Sequence, residues 1–158
     1  MTQPFGDRAT FSVEIGEFTS PTLRVVDLWA GGKRLTVDDN EAYVSSLVLY
    51  MRRDAERVRQ RAIKPCPFPE NTPEEIFELL RADQTGFRQQ FWFMRWSEIV
   101  DNVSMYAYLD GDLVIVFQFR RPSHPFPEDR GKVFVARIRP DEFADTVERA
   151  ADRLDAER

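Results

Sequence analysis

The sequence predicts an α+β fold: a mostly antiparallel sheet in two meanders, with a long amphipathic helix, a short middle helix and a C-terminal helix. Three patterns predict it. Apolar residues cluster into short strand-like runs in two separate regions, residues 11–37 and 105–139. Between these regions, residues 44–62 repeat at the 3.6-residue period of a helix. Tight-turn signals, Gly31-Gly32 and Asp110-Gly111-Asp112, separate consecutive strands.

Taken in order, Phe11, Val13 and Ile15 alternate with Ser12 and Glu14, the pattern of a half-buried strand. Residues 23–30 are mostly apolar on both faces, as in a strand covered from two sides. After Gly31-Gly32 a short strand returns from Lys33 to Val37. Asp38-Asp39-Asn40-Glu41 is a helix-start signal, because acidic and Asn side chains suit the unpaired N–H groups there. The helix that follows carries Val44, Leu47, Val48, Met51, Ala55, Val58 and Ala62 on one face, and its second half is loaded with arginine. Four prolines between Pro65 and Pro73 make an extended connector at 63–73. Thr72-Pro73-Glu74-Glu75 restarts a helix with a capping box and Pro at its first position. Aromatic enrichment predicts a strand at 90–96, and Ser97 to Asn102 reads as a helical turn or bulge. Met105–Leu109 and Leu113–Phe119 pair as a hairpin, Lys132–Arg139 adds a strand, and Pro140-Asp141-Glu142 opens the last helix. One domain spanning 1–158 is expected, with helices on one face of the sheet.

Composition closes off much of the enzymatic repertoire. One histidine, His124, and one cysteine, Cys66, leave no internal disulfide and no cage of several imidazoles. Cys66 and His124 are the only pair from which a thiol–imidazole dyad could be built. Both lie in proline-bounded stretches, so a packed cysteine and a surface-loop histidine are expected instead. The net charge is −5, and no segment forms a strongly basic stripe, which argues against nucleic-acid binding. Only three of the 22 cations are lysine; guanidinium groups suit carboxylates and phosphates, but GC-rich coding gives the same bias. No apolar run is long enough to span a membrane, and Met1 to Thr10 lacks a cationic start followed by an apolar stretch. A cytoplasmic protein is expected.

The densest acidic sets are Asp38-Asp39 with Glu41, and Asp110 with Asp112. Neither has EF-hand spacing, and a helix start and a hairpin turn account for them. Gly31-Gly32-Lys33 lacks the spacer and the hydroxyl residue of a phosphate loop. No catalytic, cofactor-binding or metal-binding residue is therefore assigned. Between Phe87 and Trp96 stand five of the 20 aromatic residues. Core filling is the simplest use for them, but if Trp92 or Trp96 is exposed, a protein contact becomes the better one.

Phe5-Gly6-Asp7 precedes the strand Phe11-Ser12-Val13-Glu14-Ile15; Leu23 to Trp29, Gly32 to Thr36, and Asp39 to Val44 follow. With the strand–helix ending, Val133–Ile138 then Pro140–Leu154, this pattern resembles the small, variable bacterial immunity proteins of polymorphic or contact-dependent toxin systems. The resemblance covers the first third of the chain and that ending. It implies a cytosolic, non-enzymatic protein that neutralises a cognate toxin by binding it, and it carries no catalytic residues. The acidic balance suits a basic partner such as a nuclease toxin domain. Asp38, Asp39, Asp110 and Asp112 are then the candidate contacts. A small carboxylate-based enzyme, and a structural or regulatory domain that could pair as a homodimer, remain the alternative readings.

Overall fold

The computed structural model describes residues 2–158 and shows an α+β fold with two antiparallel sheets. In the first sheet, β1 (Gln3–Asp7), β2 (Phe11–Phe18), β3 (Leu23–Ala30) and β4 (Lys33–Arg34) lie side by side in sequence order. A fifth strand, β5 (Glu41–Tyr43), pairs with the other end of β3. Register places Val13 opposite Leu28 and Ile15 opposite Val26, so these four side chains share one apolar, buried face of β2 and β3. β1 escapes a hydrophobicity reading because Pro4 and Gly6 interrupt it, which only an edge strand tolerates.

The acidic run 38–41 does not start the helix. α1 (Val44–Arg59) begins after Tyr43, with no side-chain cap and no acidic residue in its first turn. Strand pairing takes the segment first: Arg24 faces Ala42 and Val25 faces Glu41. The polar groups go to tertiary partners, with Asn40 and Thr36 both bonding to Asp27. α1 also stops earlier than its apolar stripe, at Gln60, because Arg61 turns into the left-handed region (φ 57°) and Ala62 is exposed. Its basic face is mostly satisfied within the chain. α3 (Pro140–Ala156) packs along α1 through Phe143, Ala144, Val147, Ala150, Ala151 and Leu154. Across that seam Arg61 meets Asp141 at 2.9 Å, Arg59 meets Asp145 at 2.6 Å and Glu148 at 2.9 Å, and Arg52 meets Asp152 at 3.1 Å. The Arg61 guanidinium holds the Asp141 carboxyl below its ordinary value.

The second sheet runs β6 (Val103–Asp110), β7 (Asp112–Phe119), β8 (Phe134–Ile138). β7 is the central strand, and both of its faces are covered. Leu113, Ile115 and Phe117 enter the main core with α1, α3 and the first sheet. Val114 and Val116 point the other way, to α2 (Pro73–Ala82), where Ile76, Phe77 and Leu80 complete a second cluster. Helices therefore lie on both faces of this sheet, not on one as the sequence led us to expect. The capping box of α2 forms as predicted: Glu75 Oε1 accepts from the Thr72 N–H at 2.8 Å, and Thr72 Oγ1 accepts from the Glu75 N–H at 3.2 Å. The proline connector is bound to the edge of β6, where Cys66 N–H donates to Leu109 O and Leu109 N–H to Lys64 O, each at 2.9 Å.

Residues 90–96 are not a strand. Phe87–Phe91 form a 3-10 turn, and the chain then touches β6 through a single bridge, Trp92 to Tyr106. The reason is a carboxylate inside the apolar stripe of α1. Buried Asp54 accepts from Met94 N–H at 3.1 Å and from the Trp96 indole N–H at 2.8 Å, and Met94 adopts a left-handed conformation (φ 55°). The two sheets meet where Gly31 passes β8. A side chain there would put its Cβ 2.8 Å from Val135 O, in a backbone with φ +56°.

Candidate interaction groove

A cleft of about 920 Å³ opens at the seam between the two sheets. One wall comes from β5 and α1, with Glu41, Tyr43, Ser46 and Tyr50; the opposite wall is β6, with Val103 to Tyr106. Residues 92–98 and Val100 line the remainder. A second hollow of about 340 Å³, reaching Arg53, Arg57 and Gln89, shares Tyr50 and Trp92 to Trp96 with it. The two make one groove with Tyr50 and Trp92 at its middle.

Asp54 sorts the two tryptophans. Its carboxylate draws Trp96 inward until 2% of it is exposed, while Trp92 remains 36% exposed. Tyr43 and Tyr50, exposed as well, line the cleft with Trp92. The Arg95 guanidinium lies 3.9 Å above the Trp92 ring, and that of Arg53 lies 5.1 Å from Tyr50. Glu41, Glu98 and Asp101 line the first hollow together with Arg120, Arg53 and Arg57 line the second beside Asp54, and Arg95 lines both. Arg57 also pairs with Asp54 at 2.8 Å.

The four aspartates singled out from sequence do not converge. Asp38 takes the Arg121 guanidinium, which also approaches Asp101 at 3.9 Å. Asp39 accepts from the Glu41 N–H at 3.0 Å. These two therefore adjoin the part of the groove lined by Glu41 and Asp101. Asp110 and Asp112 face each other across the β6–β7 turn, and Asp112 borders a separate hollow with Arg61, Arg139 and Arg149. Among the described residues no group of three or more His, Cys, Asp or Glu is placed to hold a metal ion. The groove aromatics Tyr43, on β5, and Tyr50, on α1, went unread in the sequence because they lie 49 and 42 residues from Trp92.

Cys66 and His124 sit at opposite ends of the β6–β7 hairpin. Cys66 is bonded beside Leu109 at the turn, whereas His124 stacks on Phe119 with ring centroids 4.1 Å apart. Six residues of strand separate the two ends, ~20 Å at the usual rise. His124 is also buried, not on the surface as its loop position led us to expect. The Arg121 N–H donates to Asn102 Oδ1 at 2.9 Å, so the Asn102 amide must present its N–H to His124 Nδ1, 3.1 Å away. Nε2 therefore carries the ring proton and donates it to Asp129 Oδ2 at 2.9 Å. The other oxygen of Asp129 takes Lys33 Nζ at 3.0 Å. Both ring nitrogens are committed, and through Asp129 and Lys33 the cluster fastens the 120–130 loop to the first sheet. Proline spacing concealed this arrangement, which depends on Asn102 and Lys33 from distant parts of the chain.

The groove can bind and cover a surface; its aromatic and guanidinium groups offer stacking, apolar area and directional donors. No helix among the described residues is long and apolar enough to cross a membrane. No protein-family model, curated protein or solved structure matches the chain.

Proposed function

We propose that this protein is a non-catalytic, cytoplasmic protein-binding module of the immunity type, which neutralises a cognate toxin by direct contact through the groove. The observation that carries the reading is Trp92. It stands exposed with Tyr43 and Tyr50 at the mouth of a cleft, flanked by Arg53 and Arg95, while its neighbour Trp96 is buried. Trp, Tyr and Arg are the side chains that dominate protein–protein binding energy: the two aromatics bury large areas with few rotors and keep a polar tip, and the planar guanidinium offers a fixed fork of donors. The resemblance in the first third of the chain supports the same class. A basic partner is favoured by the net charge of −5 and by the cluster of Glu41, Glu98 and Asp101, with Asp38 and Asp39 adjoining it.

Capture from the native cell on immobilised protein, with wild type and Trp92→Ala run side by side, tests this. A basic protein retained by wild type and lost with Trp92→Ala is the expected result. Equal retention by the two, or no basic protein among those retained, overturns it. With the partner in hand, Asn replacements at Asp38, Asp39, Asp110 and Asp112 separate the acidic contacts from the bystanders, those bordering the groove weakening affinity more.

A further inference from the structure

Away from the groove, and sharing no residue with it, a hollow of about 310 Å³ is lined by β3, β4 and the 120–130 loop. Trp29, Val37, Phe119 and the exposed Phe126 are its apolar walls, a lining that suits a small organic molecule. Two donors in these walls have no acceptor. The Trp29 indole Nε1 is buried without a hydrogen-bond partner among the described residues. Arg34 stands opposite Trp29 in register, so both side chains leave the same face of the sheet, and its guanidinium meets no partner among the described residues. Ser12 Oγ, opposite Trp29 on β2, is unpartnered as well, so it does not take the indole N–H.

The remaining charges are accounted for. Lys33 Nζ bonds to Asp129 Oδ1 at 3.0 Å, and Asp129 Oδ2 accepts from His124. Glu128 is exposed, so water solvates it. A buried N–H has no such recourse, and leaving it unpaired is costly.

We propose that this hollow binds a small monocarboxylate with an apolar body. One carboxylate oxygen accepts from the Trp29 indole and the other from Arg34, while the hydrocarbon part lies against Val37, Phe119 and Phe126. Arg34, held by nothing else, turns onto the ligand as it enters. The chemistry selects this class. A carboxylate carries two acceptors on one carbon, which matches two donors on adjacent strands. A cation would meet both donors with the wrong sign. Phosphate would set extra negative charge beside Glu128 and Asp129 and leave the aromatic walls unused.

Phenylacetate is the probe, run beside phenylacetamide, the same body without the charge, and inorganic phosphate, the charge without the body. The chain has three tryptophans, so proton–nitrogen NMR spectra show three indole signals, and Trp29→Phe identifies that of Trp29 by its loss. Phenylacetate is expected to move this signal downfield and saturably, with a Kd of about 1 mM or tighter, and both controls to bind at least about tenfold more weakly. Arg34→Gln is expected to keep the melting temperature of wild type, since its side chain has no partner to lose, and to bind phenylacetate at least about tenfold more weakly. The absence of a saturable shift up to about 10 mM phenylacetate overturns the inference, as does either control binding as well as phenylacetate, or Arg34→Gln binding like wild type. So does a free-protein signal that Ser12→Ala moves upfield by as much as the ligand moves it downfield, because the indole N–H would then have its acceptor in Ser12.

Discussion

Two buried polar hubs hold this molecule, and they are built differently. Asp54 is one carboxylate accepting from several donors: Met94 N–H, the Trp96 indole and Arg57. The hub around His124 is a directional chain, running from the Arg121 N–H through Asn102 and His124 to Asp129, with Lys33 closing it. A carboxylate accepts its donors in any order, so the Asp54 hub asks only that the groups be near. The His124 chain works only if each member donates in one direction. A proton added at Nδ1 would set N–H against the Asn102 amide N–H, and flipping that amide would set its N–H against the Arg121 N–H. The first hub shapes the groove, and the second ties the 120–130 loop to the first sheet at Lys33.

Breaking the Asp54 hub should cost most. Asp54→Ala leaves the Met94 N–H and the Trp96 indole N–H buried with no acceptor, and frees Arg57 of its partner. We expect a loss of about 3 kcal/mol, read as a lower urea midpoint at unchanged slope. A red-shifted emission should accompany it as Trp96 gains solvent. A cost below about 1 kcal/mol would mean that these donors find other acceptors.

The second hub should be distinguished by its pH dependence. Burial works to raise the Asp129 carboxyl, but hydrogen bonds from His124 and Lys33, with the Lys33 charge, outweigh it and hold the group below its ordinary value of 3.8. A carboxyl depressed in the native state stabilises fully above its unfolded value and loses that contribution as pH falls through the native one. Asp129→Asn should therefore be less stable than wild type by about 2 kcal/mol at neutral pH, with the gap narrowing below pH ~4. Melting temperatures of both proteins from neutral pH to pH ~3 check it. A gap that stays constant across that range would assign the effect to shape and not to charge.

These hubs also mark the limit of what the sequence discloses. The capping box of α2 is readable because Thr72 and Glu75 lie within one turn of each other. The β6–β7 hairpin is readable because Asp110-Gly111 fixes its register locally. The start of α1 was not, since the acidic run before it is captured by pairing with β3, a contact made some 17 residues away. Asp54 left a trace: a carboxylate three residues after Met51 lies on the apolar stripe, where an unpaired charge is untenable. That trace implies a buried partner without saying which one, and the partner was the aromatic segment read as a strand. The His124 chain left none, because Lys33, Asn102 and Asp129 look like ordinary loop and turn residues until the fold assembles them.

The finest comparison is between the neighbouring tryptophans that the Asp54 hub separates. Trp92 makes one backbone bridge to β6 and stacks under Arg95, and its bridge needs no side chain. Trp92→Ala should change stability by less than about 1 kcal/mol, the cost of a partly exposed ring and one exposed cation–π contact. Trp96→Phe keeps an aromatic ring but removes the indole donor, so Asp54 loses one of its bonds inside the core. If urea midpoints rank Trp96→Phe as the more damaging, the larger truncation is the milder one, and position relative to Asp54 decides the outcome. Were Trp92→Ala the costlier change, the exposed ring would be part of the molecule's own packing, and the groove would lose its standing as a surface kept for a partner.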